Sequence, residues 1–416
     1  MNTSTNFKKN FIWNILGTGF NSFNSLFLMI IVTRLNGIND AGIFTLGFST
    51  ACILFVIGTY SGRVYQVTES NQSISNKDYL GSRLIAIGVM ILAVFAFVLV
   101  RGYGSYKAII CVLLTVFKAL EALSDVLYGI MQKEDLLYKV GQSYFIKSVL
   151  TLGVFLIVDL QTKNLIVSIN AILLVWVVCI LLFDLPATFS FVKRSGAPTL
   201  KNIWFLFRDG FFVFAILFMG IYMTNASKYA IDNYLTDEMQ TIFGILIMPA
   251  TAVCLFGQFV FHPFLGRIAE LNAEKDYAGL DKLILKVTAF VVAVGVVCFV
   301  GAYLLGVPVL SFVYGIDISP YKNQLLLIIV AATLYNMGGT FSNMLTTMRI
   351  TKIQFLMYLV FVAIAWASAN SLTYRMGIDG AVYAYGILMI VFLVLYFVVS
   401  RFIISKKIAE SLPKRV

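Results

Sequence analysis

The 416-residue sequence predicts an all-α integral membrane protein with twelve transmembrane helices in two six-helix bundles. Three observations carry that prediction. Hydrophobic residues make up 60% of the chain and charged residues 12%, a balance far from that of a water-soluble domain. Runs such as "IAIGVMILAVFAFVLV" and "ILMIVFLVLYFVVS" approach or reach the roughly 20 apolar residues that cross a bilayer as a helix. Apolar windows of this kind, bounded by charges and turn residues, recur from end to end.

In chain order the windows place spans at 11–33, 40–62, 80–100, 106–131, 140–160, 164–186, 209–227, 238–262, 284–306, 323–346, 354–374 and 378–400. The first follows "NFKKN", and no small-residue cleavage site comes after it, so it reads as a retained helix and not a cleaved leader. Asn14, Thr18, Asn21, Ser22 and Ser25 mark one polar face of it, and Arg34 ends it. Arg63 closes the second span in "GTYSGRVYQVTE", and Arg83 opens the third. The stretch "VKRSGAPTLKNIWFLFRDG" (192–210) holds Pro, Gly and basic residues. It separates an N-terminal bundle at 1–192 from a C-terminal bundle at 208–416, with a cytoplasmic linker at 193–207. Lys228 ends the seventh span, and Pro249 inside the eighth is expected to kink it. "FHPFLG" puts His262 beside Pro263 at a helix end, a setting for a capping or interfacial role. Residues 266–282 read as a short amphipathic surface helix. In the tenth span, "LYNMGGTFSNMLTTM" repeats Asn336, Thr340, Asn343 and Thr347 at helical spacing. Asn and Thr there suit either helix-to-helix hydrogen bonds or sugar hydroxyls.

Lys and Arg fix the orientation. With the N-terminus inside, the inner segments hold about 21 of them, from Lys8 and Lys9 to Lys414 and Arg415, and the outer segments about 7. This bias places both termini in the cytoplasm. The net charge of +11 is accounted for by that topology signal and by attraction to anionic headgroups, so no nucleic-acid partner is implied. The five cysteines all fall inside spans without paired spacing, and neither a disulfide framework nor a metal site follows. No cofactor motif, nucleophile elbow or zinc-hydrolase motif occurs, and the outer loops are about a dozen residues at most. Both points argue against an enzyme.

The fourth span is the exception to the apolar pattern. Thr115, Lys118, Glu121, Asp125, Tyr128 and Gln132 recur at three- and four-residue spacing, so they form one polar stripe on a helix otherwise rich in Leu, Val and Phe. Charges in a bilayer core cost at least a few kcal/mol and mark either internal pairs or a transport pathway. Lys118 and Glu121 can pair on their own helix. Asp125 and Lys147 reach similar depth on the hairpin of spans four and five, and can pair across it. Alternatively the stripe lines a wet cavity, in which Lys118 and Lys147 attract an anion while Glu121 or Asp125 binds a coupling proton or sodium ion. Arg34, Arg63, Arg83 and Lys228 would extend a cationic lining towards both mouths.

Two stretches carry a family likeness. "FIWNILGTGFNSFNSLFLMIIVTRLNGINDAGIFTLGFS" resembles the opening of the Wzx-type polysaccharide flippases, a branch of the multidrug/oligosaccharidyl-lipid/polysaccharide exporter (MOP) superfamily. "NASKYAIDNYLTDEMQTIFGILIMPATAV" resembles the start of that family's second half. The resemblance implies a MATE-like, V-shaped pair of bundles. It also implies alternating access that moves undecaprenyl-pyrophosphate-linked oligosaccharide from the inner to the outer leaflet for O-antigen or capsule assembly. Membrane lipids and the polysaccharide polymerase machinery would be its partners. By position Arg34 matches the family's Arg at the end of the first helix. Asn36 stands where a Leu-Gly turn is usual. The rival readings are a cation-coupled multidrug exporter of the same superfamily, which calls for an acidic cavity, and a membrane-embedded polymerase or glycosyltransferase, which calls for larger outer loops.

Overall fold

A computed structural model describes residues 3–60, 62–68 and 74–411. Lys414 and Arg415 of the expected basic tail, and the side chains of Lys8 and His262, lie outside the described residues. Every regular element among the described residues is helical. Packing divides the chain into two compact units, Met1–Ile221 and Tyr222–Val416.

The first unit opens with α1 (Thr3–Leu35) and α2 (Ile38–Thr59). Between them Gly37 takes φ 93° and ψ 177°, a conformation that a side chain would strain, and the chain reverses there. A short α3 (Gly62–Thr68) leads to α4 (Asn76–Arg101). A reciprocal Ser75–Asp78 capping box starts α4 and a left-handed Gly102 ends it. Then come α5 (Ser105–Lys133), α6 (Leu137–Thr162) and α7 (Leu165–Cys179). A π-helical turn, Ile180–Asp184, joins α7 to α8 (Leu185–Arg194). Pro186 explains that turn: it lacks an N–H and crowds the preceding carbonyls, so the ladder widens, with the Leu185 N–H donating to Ile180 O.

Only residues 195–199 interrupt the helices before α9 (Leu200–Tyr234). The basic stretch expected as linker is therefore helical over its second part. Its amphipathic start is held by the N-terminal unit: Asp78 accepts from the Thr199 N–H at 2.7 Å and from Asn202 Nδ2 at 3.0 Å. The division between the two units falls further along, inside α9.

The second unit continues with α10 (Asp237–Phe261), which contains Pro249, then α11 (Leu265–Ala273) and α12 (Tyr277–Gly301). Another π-helical turn, Ala302–Gly306, precedes α13 (Val307–Tyr314), again with a proline, Pro308, just beyond it. The remaining helices are α14 (Lys322–Thr347) and α15 (Thr351–Ser411). α15 is two arms joined at Gly377, whose φ of 61° and ψ of −137° break the helix.

Among the described residues, ten helical runs are long and apolar enough to cross a membrane. One of them is the two-armed α15. α5, at 29 residues, has the length to cross but carries the charges that keep it outside a count based on apolarity. With both added, the count reaches the twelve that the sequence predicts.

Packing within the first unit relies on one close helix approach. Cβ atoms added at Gly17 of α1 or Gly141 of α6 would overlap the backbone of the opposite helix, so only glycine fits at either position. α2 is the central helix, with 78% of its core window buried against 28% for α4. Leu92 and Leu99 of α4 face outward instead, where lipid would cover them.

Candidate functional site: a polar cavity in the N-terminal unit

The polar residues of α5 sort onto two adjoining faces. Lys118, Glu121 and Asp125 share one. Ser124 and Tyr128, spaced i, i+4, share another about 75° round the helix, so Tyr128 leaves the single stripe that the sequence predicts. The first face meets a cavity of about 260 Å³ whose polar walls are Asn21, Ser22, Asn24 and Ser25 of α1 together with Lys118 and Glu121. Lys118 Nζ pairs with Glu121 Oε2 at 2.6 Å, the same-helix pairing that the spacing allows. Its ammonium also lies 4.9 Å from the Phe48 ring centroid and 5.5 Å from that of Phe55, so two aromatic faces of α2 hold it. Asn24, which the sequence reading did not single out, is 6% exposed, and its Oδ1 has no hydrogen-bond partner among the described residues. A buried amide oxygen on a cavity wall is an acceptor waiting for a donor, or, with the amide turned over, a donor pair waiting for an acceptor.

One turn along α5 from Glu121, Asp125 meets buried Arg83, whose Nη2 lies 3.1 Å from Asp125 Oδ2 and whose Nη1 donates to Gly58 O at 3.3 Å; Arg83 lines a separate small pocket with Gly62 and Gln66. The guanidinium therefore satisfies a carboxylate and one of the free carbonyls in the last turn of α2. Arg63 arrives on α3, which docks on α5 through Gln66 Nε2 donating to Val126 O at 3.2 Å and through contact of Gln66 with Gly129. Arg63 acts electrostatically on Asp125 and Tyr144, and its Nη1 is buried without a hydrogen-bond partner among the described residues. Lys118, Arg83 and Arg63 thus face Glu121 and Asp125: three cations to two carboxylates.

Lys147 is placed differently from expectation. It does not pair with Asp125. It forms an ion pair with Asp184, both side chains being 0% exposed, and donates to Ser124 Oγ at 2.7 Å and Tyr128 OH at 3.0 Å. Ser143 Oγ donates to the other Asp184 oxygen at 2.6 Å, and the Trp176 ring lies 4.7 Å from the ammonium. Equal depth on the hairpin is correct for Asp125, but the azimuth is not, because α6 packs against the Ser124–Tyr128 face. Arg34 is exposed in the last turn of α1, and Lys228 is half-buried on α9 in the second unit.

The sequence reading missed three buried carboxylates: Asp78, which caps α4, and the pair Asp184 and Asp159. Asp184 lies in the π-helical turn, and Asp159, in the last turn of α6, accepts from Ser168 Oγ at 2.8 Å and Asn36 Nδ2 at 3.2 Å. An acid at each end of an apolar run was the available signal.

An all-helical chain with twelve crossing helices, two units and a charge-bearing cavity inside one of them is a multi-pass membrane protein with the fold of the MOP-superfamily transporters. A multidrug-resistance MATE family transporter of the MOP superfamily, in an inward-facing conformation, matches with a TM-score of 0.72 at 15% identity, over 96% of this chain and all of that one. The lipid II flippase MurJ, inward closed, also matches at 0.72 and 15% identity, over 97% and 94% of the two chains. A MOP superfamily transporter from Pyrococcus furiosus, described by the reverse polarity of its binding pocket, matches at 0.60 and 15% identity, over 97% and 96%. In sequence, the capsular polysaccharide biosynthesis protein CapF of Staphylococcus aureus is 23% identical over 349 residues, 81% of this chain and 83% of CapF. No protein-family model matches the chain.

Proposed function

We propose that the chain is a flippase that moves undecaprenyl-pyrophosphate-linked oligosaccharide units from the inner to the outer leaflet of the cytoplasmic membrane, for assembly of a capsule or O-antigen. The observation that carries the reading is the 260 Å³ cavity with Lys118 and Glu121 on its wall, one helical turn along α5 from the Asp125 that Arg83 pairs with and Arg63 acts on. A pyrophosphate is an anion that cannot cross hydrocarbon alone, and a net cationic, hydrogen-bonding groove supplies what it loses in water. The polyprenyl tail needs no protein cavity and stays in lipid. Likeness to a lipid II flippase in fold, and to a capsular polysaccharide biosynthesis protein in sequence, supports the same reading. The cation excess among these five residues weighs against export of cationic drugs.

On this reading Glu121 is the coupling group. A proton taken by its carboxylate cancels the charge that holds Lys118 and frees the ammonium for pyrophosphate; return of the proton restores the pair and expels the anion. Alternating access between two bundles, 1–192 and 208–416, with both termini cytoplasmic, completes the cycle. The test is binding of farnesyl pyrophosphate to the full chain in nanodiscs. Lys118→Ala is expected to weaken it about tenfold, the worth of one charge-assisted contact. Unchanged affinity in Lys118→Ala removes this lysine from the site, and no binding by the unaltered chain ends the flippase reading.

A further inference from the structure

We infer that a second cavity, inside the C-terminal unit, binds one uncharged sugar ring of the lipid-linked saccharide. The inference rests on the flippase reading and assigns the neutral part of the cargo its own site. The cavity is about 160 Å³. An engineered protein cavity of roughly 150 Å³ takes a benzene ring, so this volume fits one six-membered ring and little more.

The lining chemistry is that of a carbohydrate site. Gln258 of α10, Asn336, Ser342 and Asn343 of α14, and the two tyrosines Tyr335 and Tyr358 supply amides and hydroxyls, and the described lining holds no charged side chain. Each amide both donates and accepts, as does each hydroxyl, and so does every hydroxyl around a pyranose. An anionic sugar or a pyrophosphate would find no counter-ion there. The aromatic side of the cavity is firm: Tyr335 and Phe392 lie 5.1 Å apart between centroids, and Phe392 packs at 5.1 Å on Phe361 and 4.7 Å on Tyr396. A pyranose has an apolar C–H face that such rings accept, so one wall serves that face and the amides serve the hydroxyl edge.

Two glycines show that the polar groups are positioned. At Gly257 an added Cβ would come within 2.5 Å of the Asn336 side chain, so only glycine lets that amide lie against α10 and donate to Val253 O at 2.8 Å. One end of Asn336 is thereby fixed. At Gly339 an added Cβ would meet nothing within 4 Å, although the residue lines the cavity. The helix there is open towards the space that a sugar would fill. A supporting row holds Ser342: its Oγ donates to Gln354 Oε1 at 3.2 Å, and that oxygen also accepts from Tyr396 OH at 3.1 Å.

Gly339 makes the test direct, since a larger side chain enters the cavity without displacing any described atom at its first carbon. Saturation-transfer NMR on the full chain in nanodiscs would use methyl glucoside, methyl N-acetylglucosaminide and, as the charged control, methyl glucuronide. We expect transfer to at least one uncharged glycoside, none above background to the glucuronide, and a loss of affinity of at least about tenfold in Gly339→Leu. Asn343→Leu, which removes a polar group without plugging the space, should lower the same signal and stands in if Gly339→Leu does not fold. No transfer to either uncharged glycoside, equal transfer to the glucuronide, or full retention in both variants overturns the assignment. Farnesyl pyrophosphate binding by Gly339→Leu is measured alongside. Failure of that ligand to bind the unaltered chain sinks the flippase reading, and the glycoside result then decides the cavity by itself.

Discussion

Replacing Asp184 by alanine strands the Lys147 ammonium inside the N-terminal unit, and an unfolding measurement should register it. Both side chains are 0% exposed, so water cannot take over from the lost carboxylate. Breaking a buried pair in this way costs roughly 3–5 kcal/mol. The ammonium keeps two neutral acceptors, Ser124 Oγ at 2.7 Å and Tyr128 OH at 3.0 Å, and the face of Trp176 at 4.7 Å. These residual contacts place the expected loss at the lower end, about 3 kcal/mol. Lys147→Met strands Asp184 in turn, with the 2.6 Å hydrogen bond from Ser143 as partial relief. The double variant Lys147→Met/Asp184→Ala removes both charges and should recover most of either loss, giving a coupling of about 2–3 kcal/mol. Reversible unfolding in SDS, read by circular dichroism, supplies the four free energies. An Asp184→Ala loss under about 0.5 kcal/mol, or a coupling near zero, refutes the assignment. The companion cycle of Lys147 with Asp125, the pair that depth alone suggests, should give a coupling near zero because Asp125 belongs to Arg83.

Three further outcomes follow from the same geometry. Glu121→Gln removes the counter-charge 2.6 Å from Lys118, so farnesyl pyrophosphate should bind about tenfold more tightly by calorimetry. Gly141→Leu forces a side chain into the backbone of α1 at Trp13, and thermal unfolding in detergent should show a loss of about 2–3 kcal/mol. Asp78→Ala deletes the acceptor for Thr199 N–H, Asn202 Nδ2 and the Ser75 N–H; a loss of about 3 kcal/mol is expected, with faster proteolytic cleavage across 195–199.

The residues that the sequence made legible were the ones that break an apolar pattern. Lys118, Glu121 and Asp125 stood out because they are the charges away from the ends of α5, and their common face follows from helical spacing alone. The partner of Lys147 was not legible, because choosing between Asp125 and Asp184 requires the rotation of α6 about its axis, which hydropathy does not encode. The π-helical turn added to the difficulty: a widened turn changes the angular phase of the helix, and Asp184 comes to point inward from a place that reads as the membrane interface. Gly377 was easier, since "YRMGIDG" separates two apolar runs, and the break in α15 falls between the two predicted spans. The start of α9 was harder. Pro, Gly and basic residues argue for a linker, yet Asp78 and its capping box hold the chain so that the helix begins at Leu200.

On the flippase reading proposed above, the pairing along α5 bears on how the cargo pyrophosphate would be released. Three unpaired cations buried among membrane helices would cost several kcal/mol each, so an empty carrier cannot keep them bare. Glu121 and Asp125 neutralise Lys118 and Arg83, and Arg63 remains with an unbonded Nη1. An incoming pyrophosphate then exchanges one anion for another at Lys118 and gains outright only at Arg63. Its net affinity is the difference between two charge-assisted contacts plus one new one, far less than three bare cations would give. Moderate affinity is what turnover requires, because a carrier that holds its substrate too well does not let go. The acidic residues of α5, which would look like a flaw in an anion site, are in this account what makes release possible.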